Sequence, residues 1–360
     1  MRCHAHGGQR SGNLLALPTD HTFTGQKLDK SSELLYYQAH GKVLALIPDT
    51  MNHIQIVGLG MATLDILVRL AEMPTWENGG HFSAIAIDGG GPAATAIAAA
   101  ARLGAPAGFI GAYGSDRLGE IKLQTLTECG IDVSRMVRRP APENEIVLVS
   151  VHEQTGERVF ISSRSFQDHQ LTADELDRAY VLAADVLHLD GYHADAALAA
   201  AGWMRRAGKR VVLDGSATRR AIPATMRALV SQVDVLICGA GFGAMLTGRN
   251  DPWEIGRAIL DLGPAVVVQT EGKAGSYTTT ADDRFHTPAF EVEVVDTTGA
   301  GDVFHGAYIV GMLRGWDVRR IVQFATAVSA LKCTGLGGRR PIPCFEQALE
   351  FLHARGVNLT

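Results

Sequence analysis

A three-layer α/β/α sandwich, with a mainly parallel central sheet and a small separate β-sheet, is the fold class this sequence predicts. Three observations carry that expectation. From Leu171 onward, helix-like stretches at 173–183, 197–207, 253–262 and 317–331 alternate with strand-like runs at 186–190, 210–214, 234–238 and 265–270. Such alternation argues a parallel sheet with helices on both faces, and right-handed crossovers place the carboxyl ends of the strands along one edge. Next, the β-branched run Val292 to Val295 reads as a strand leading into Asp296-Thr297-Thr298-Gly299-Ala300-Gly301-Asp302, and the apolar stretch from Val303 to Leu313, stopped by Gly315, reads as a buried helix. Finally, residues 146–152 and 158–162 flank Glu153-Gln154-Thr155-Gly156-Glu157, a hairpin signal. With the loosely alternating run 81–88 they make the second sheet.

Bulk properties narrow the function classes. At 360 residues the chain can bury a sizeable core, as one large or two modest domains. Its 46% hydrophobic and 20% charged content is that of an ordinary globular protein. A net charge of −5 and a pI near 6.2 leave no basic footprint for nucleic acid. The five cysteines are scattered and odd in number, which fits reduced thiols in a cytoplasm better than a disulfide framework. Apolar stretches are broken by charge or glycine well short of a membrane span, and nothing near the start has the order of a secretory signal.

Taken in order, residues 1–50 mix Gly, Ser, His and Thr with short apolar patches and no sustained period. They read as a disordered leader, or as the product of a mis-called start before Met51. Cys3-His4-Ala5-His6 has no second ligand pair at finger spacing and belongs to that leader. The folded domain is expected over 51–355. Ile54 to Val57 is a first strand, ended by Gly58-Leu59-Gly60. Asp65 follows in an apolar stretch and needs a partner. Alone it reads as a turn cap, though the paired hydroxyls of a polyol also suit an acceptor-only carboxylate.

Gly89-Gly90-Gly91-Pro92 then opens an alanine-rich helix, Ala93 to Leu103, with Pro92 in its first turn and small residues that permit close packing. Gly108 to Gly111 is another strand, and Asp116 to Cys129 an amphipathic helix stopped by Gly130. Arg164, just past the hairpin, could contact an anionic substrate group, though a solvated surface residue is the commoner case. Asp190, Asp214 and the 296–302 turn share the sheet edge where open α/β sheets bind ligands. Thr270-Glu271-Gly272-Lys273-Ala274-Gly275 is on its own a plain hairpin into Ser276 to Thr280.

The 296–302 turn carries the strongest chemical signal. Gly299 and Gly301 let the backbone approach an anion closely, and free N–H groups at a helix start bind it with help from the dipole. Asp302 sits in the first helical turn beside that hole. A carboxylate is awkward there unless it takes a hydroxyl proton while the amides stabilise a phosphoryl group in transfer. For a lone Gly-Ala-Gly, a structural turn with a capping Asp would serve equally; the twelve residues from Asp296 to Ala307, with both aspartates, are far more specific.

That run, Asp-Thr-Thr-Gly-Ala-Gly-Asp-Val-Phe-His-Gly-Ala, resembles the C-terminal signature of the ribokinase-like (PfkB) carbohydrate kinases, and the likeness extends from about Ile54 to about Leu352. The resemblance implies that the small sheet, about 75–90 and 143–163, is a lid over the sugar and a clasp for a homodimer. It implies ATP as donor with Mg2+, Asp302 as catalytic base, and the amides of Gly299, Ala300 and Gly301 as anion hole. Asp65, Gly90 and Gly91 are implied as sugar ligands, with Thr95 where the family commonly has Asn. Thr270, Gly272 and Gly275 would border the nucleotide, Gly338 lies in the segment beside the adenine, and Asp296 and Thr298 mark a K+ site.

One departure stands out: where the family usually carries Asn-x-x-Glu, tied to magnesium, this chain has Gly239-Ala240-Gly241-Phe242. Within the family, the segments around Gly89, Asp296 and Leu331 are most similar to sulfofructose kinase. Gly79 and Gly191 stand near the places of its cationic residues, so a sulfonate specificity is not carried over. The expectation is an ATP-dependent kinase acting on a primary hydroxyl of a neutral sugar or sugar-like acceptor. A non-catalytic sugar or nucleotide sensor on the same fold is the alternative, and the missing Asn-x-x-Glu is its support.

Overall fold

The computed structural model describes residues 53–359 except Gln167, 217–220 and Ala240, together with the strands of an antiparallel hairpin, Leu35–Ala39 and Lys42–Leu46. The remainder of the expected leader, including Cys3-His4-Ala5-His6, lies outside the described residues.

Eight strands form the central sheet, in the order Arg284–Thr287, Ser276–Thr280, Val266–Thr270, Val235–Gly239, Arg210–Gly215, Val186–Leu189, Ile56–Leu59, Ala107–Ile110. The last six run parallel, and the first two are antiparallel at one edge. The parallel strands are buried on both faces, which is why they read as continuous apolar runs such as Val-Leu-Ile-Cys rather than as alternation. One face is covered by helices Pro92–Arg102, Ala300–Leu313, Val318–Lys332 and Phe345–His353. The other is covered by Arg178–Ala183, Ala194–Arg206, Ala224–Val230, Phe242–Thr247 and Pro252–Leu260. The expected helix over 173–183 is broken: Asp177 caps a new start by accepting from Ala179 N and Tyr180 N.

Two helices meet unusually closely. A Cβ on Gly306 would stand 2.1 Å from Ala96 O and 2.7 Å from Ala99 Cβ. Only glycine facing an alanine-rich surface permits that approach. It brings the amino ends of Pro92–Arg102 and Ala300–Leu313 side by side at the carboxyl edge of the parallel strands.

The small sheet has the order Arg158–Ser162, Ile146–His152, Thr63–Leu70, Ala84–Gly90. Here the sequence reading needs correcting. Thr63–Leu70 was expected as connecting chain with Asp65 beyond a strand end, whereas it is a full strand at the centre of this sheet, with Asp65 opposite Asp88. Its period is hidden because Leu64, Ile66, Leu67, Val68 and Leu70 occupy both faces. A second correction concerns Val292–Val295, which is not a strand. Val295 N and Asp296 N instead bond Cys333 O at 2.8 and 3.2 Å, docking the segment on the end of helix Val318–Lys332.

Candidate active site

The paired helix starts, the small sheet and the loop after Lys332 enclose a cavity of about 410 Å³. Ten of the residues singled out from sequence line it: Asp65, Gly90, Gly91, Thr95, Thr298, Gly299, Ala300, Gly301, Asp302 and Gly338. Thr270, Gly272, Gly275 and Asp296 do not. Among the described residues no helix is long and apolar enough to cross a membrane.

Gly299 caps helix Ala300–Leu313 with φ 73°, a left-handed conformation that glycine adopts without strain. Its neighbour Thr298 donates its N–H to Asp296 Oδ1 at 2.8 Å. The Ala300 amide folds back onto Thr297 O at 3.2 Å. The amides of Gly299, Gly301 and Asp302 have no acceptor among the described residues. A Cβ on Gly301 would meet nothing within 4 Å, so the hole opens directly into space.

Asp302 stands beside those amides, and no donor among the described residues satisfies its carboxylate. Lost hydration and then the nearby Asp214 and Asp190 carboxylates push its pKa well above the ordinary range. Buried Asp214 is likewise raised by burial, although Ser216 Oγ donates to its Oδ1 at 2.8 Å. His305, one helical turn after Asp302, has its Nε2 3.8 Å from that oxygen; burial pushes it down to about 3, so it offers no counter-charge. Asp190 belongs to a different class. Its carboxylate accepts from Met61 N at 2.8 Å, Tyr192 N at 2.9 Å and Ala93 N at 3.3 Å.

On the opposite wall Asp65 accepts from Thr63 Oγ1 at 2.5 Å, and burial raises its pKa to about 6 against the pull of that bond and of Arg339. Gly90 is required here, because a Cβ would fall 2.1 Å from Asp65 Oδ2. Arg339 is a residue the sequence did not announce. Fully enclosed, it donates to the Gly90 carbonyl, to Thr95 Oγ1 at 3.3 Å and to Thr125 Oγ1 at 3.2 Å, while its own N–H joins Asp88 Oδ2 at 3.0 Å. The Thr95 hydroxyl thus already accepts one bond. Arg158 was also missed. It reaches from the small sheet to donate to Thr297 Oγ1, and it makes no carboxylate pair among the described residues. Strand alternation puts Arg158, Phe160 and Ser162 on one face, a signal that was available, and all three line the cavity.

Beneath the anion-binding turn, buried Asp296 accepts from Thr298 N and, at 2.9 Å, from Gly337 N. Burial alone would raise its pKa; the Lys332 charge and the bonds from Thr298 and Gly337 outweigh it, and the group lies below the usual range. Farther along the edge, Thr270 Oγ1 is 3.3 Å from Cys238 O, and Gly275 is dictated by packing, since a Cβ would lie 2.1 Å from Thr287 O. Gly272 has φ 54° and open space above it. Phe242, at the place of the absent Glu, is buried in the core. No cluster of three His, Cys, Asp or Glu among the described residues could hold a metal.

Comparison with known proteins shows the family and the fold. The family model described as pfkB family carbohydrate kinase matches residues 54–344. The chain is 28% identical to the ATP-dependent ribose-1-phosphate kinase of Halopiger xanaduensis over 84% of its length and 99% of that protein's. It is 30% identical to the 2-dehydro-3-deoxygluconokinase of Bacillus subtilis over 71% of its length and 83% of that protein's. The crystal structure of the ribokinase of Thermotoga maritima superimposes with a TM-score of 0.72 at 24% identity, over 83% of this chain and 99% of that one, and so shares the fold.

Proposed function

The chain belongs to the pfkB family of carbohydrate kinases, and from that premise we propose that it transfers the γ-phosphoryl group of ATP to a primary hydroxyl of a sugar or sugar-like acceptor in the cytoplasm. The observation that carries this reading is the juxtaposition, in one cavity, of three free helix-start amides with the unsatisfied carboxylate of Asp302. A sensor would have no use for a desolvated base beside an anion hole.

In this mechanism Asp65 accepts hydroxyls of the acceptor and turns its reacting oxygen toward Asp302. Asp302 takes the proton as that oxygen attacks. The amides of Gly299, Gly301 and Asp302 stabilise charge on the equatorial oxygens of the phosphoryl group in transfer. ATP supplies that group, and Mg2+ supplies neutralising charge on the donor phosphates. With no cluster of three His, Cys, Asp or Glu among the described residues to cage it, the ion would be held mainly by phosphate oxygens and water. The turn with Thr270, Gly272 and Gly275 and the loop with Gly338 border the nucleotide. The small sheet closes over the acceptor and excludes competing water.

The same sheet offers a surface for a second copy of the chain. Register aligns Ile161, Leu148, Ile66 and Ile87 in one row of its outer face, with Val159, Ser150, Val68 and Ile85 in the next. Ile85, Ile87, Leu148, Val159 and Ile161 are 45–56% exposed, a continuous apolar patch that a homodimer would cover.

ADP release over a panel of acceptors tests the whole reading. The panel spans neutral furanoses and ketoses, favoured by Asp65, together with ribose 1-phosphate and 2-dehydro-3-deoxygluconate. The relatives named above act on the latter two, and the Arg158 guanidinium suits an anionic substituent. No turnover with any polyhydroxylated acceptor would refute the kinase reading.

A further inference from the structure

Lys332 is the last residue of helix Val318–Lys332, and it is 0% exposed. It does not line the cavity. Its Nζ donates to the main-chain carbonyl of Asp296 at 2.9 Å, directly under the turn that carries the free amides. An ammonium is costly to bury unless its charge is answered. Here the Asp296 carboxylate, also 0% exposed, attracts it without a direct ion pair, and burial still draws the lysine pKa below its ordinary value; the bond to the Asp296 carbonyl ties the turn to the helix end. The main chain reinforces that tie, with Val295 N and Asp296 N on Cys333 O and Gly337 N on Asp296 Oδ2.

The residues expected to hold a monovalent metal ion do not fit one well. Both Asp296 carboxylate oxygens already accept amide protons, and its carbonyl accepts the lysine. Among the described residues, Thr298 Oγ1 is the one fully buried side-chain oxygen of the turn without a partner, and a single oxygen does not make a coordination shell. A second cation placed there would also be repelled by the ammonium in a poorly screened interior. We propose that Lys332 is a built-in monovalent cation, a positioning residue that organises the anion-hole turn from below and makes this kinase independent of potassium. The proposal rests on the kinase reading for its rate arm, and its melting arm stands without it.

The experiment compares initial rates and thermal melting in potassium, sodium and choline chloride at one ionic strength, for the wild-type chain and for Lys332→Met and Lys332→Arg. Wild type is expected to be indifferent to the cation in both readouts. Lys332→Met keeps the stem and loses the charge. It should lose about 10–100-fold in turnover, the scale of a small misplacement of catalytic groups, and should regain much of that loss in potassium but not in choline. Its melting temperature should rise specifically with potassium. Lys332→Arg keeps a charge and should remain indifferent. Strong potassium activation of wild type, or a potassium-specific rise in its melting temperature, would overturn the proposal. So would a folded Lys332→Met that ignores potassium. If Lys332→Met does not fold, the wild-type and Lys332→Arg arms still decide. A chain that phosphorylates nothing yet shows the expected melting pattern would sink the kinase reading and leave the role of Lys332 standing.

Discussion

Replacing Asp302 by Asn keeps the side-chain volume and removes only its ability to take a proton. A positioned general base is worth about 10²–10⁴-fold, or roughly 3–5 kcal/mol of barrier at 1.36 kcal/mol per decade. The structure adds a signature that a merely spatial role would lack. Loss of hydration, then the Asp214 and Asp190 carboxylates, raises the Asp302 pKa, so its proton-accepting form accumulates only above the ordinary carboxylate range. The kcat/KM of wild type is therefore expected to climb with pH along a limb displaced upward. Asp214→Asn removes the leading charge contribution and should move that limb to lower pH. Folding follows the same linkage. Because the folded pKa lies above the unfolded value, the native state holds a proton that the unfolded chain releases. Stability is then lost as pH rises from the unfolded toward the folded pKa. Asp302→Asn should melt like wild type below that window and higher above it. Coupled ADP assays and melting curves over the same pH series test all of this. Turnover of the Asn variant within about threefold of wild type, or a limb unmoved by Asp214→Asn, would refute the assignment.

Asp65→Ala is expected to weaken the acceptor by roughly 2–4 kcal/mol in kcat/KM, the scale of lost charge-assisted hydrogen bonds, and to leave the KM for ATP nearly unchanged; an effect confined to ATP would place Asp65 in the wrong subsite. Gly90→Ala should reproduce the acceptor defect with the Asp65 charge intact, because the new methyl would displace Asp65 Oδ2, and normal kinetics would show the wall to be softer than it looks. A chain beginning at Met51 should fold and melt like the full chain, which circular dichroism can check; failure to fold would make the first fifty residues part of the domain. Ile87→Asp, in the exposed apolar row, should convert a dimer into monomers in sedimentation without unfolding the sheet, and an unchanged mass would put any interface elsewhere.

The legible parts of this protein are those whose cause is local. Gly299 and the glycines of the 89–91 turn declare themselves because a side chain there would strain or crowd the backbone. The alternation of parallel strands and helices is likewise written in runs of ten to fifteen residues. What stayed hidden depends on partners far away in the chain. Thr63–Leu70 is apolar on both faces, so nothing in its own pattern separates a sheet centre from connecting chain. Val292–Val295 has every local mark of a strand and lacks only a neighbour to pair with. Arg339 joins Gly90 across 249 residues, and an arginine in a glycine-rich loop gives no periodic hint of that. Nothing local to Lys332 marks it as buried; only the fold shows that it is.

The three amides gathered by Asp190 have a mechanical consequence. Met61 precedes the strand that climbs into the small sheet, and Ala93 follows the strand that descends from it, so both roots hang from one carboxylate at the edge of the central sheet. A flap suspended in this way can rock about its root but cannot glide. Displacement is therefore smallest near Thr63 and Asp65 and grows along the strand, whose eight residues span about 25 Å. The far rim, where Arg158 touches Thr297, is the part expected to move most. On the proposed kinase function, holding the acceptor would fall to the still end and releasing the product to the moving one. Changes at the rim are then expected to alter the rate of product escape while leaving the grip at Asp65 untouched.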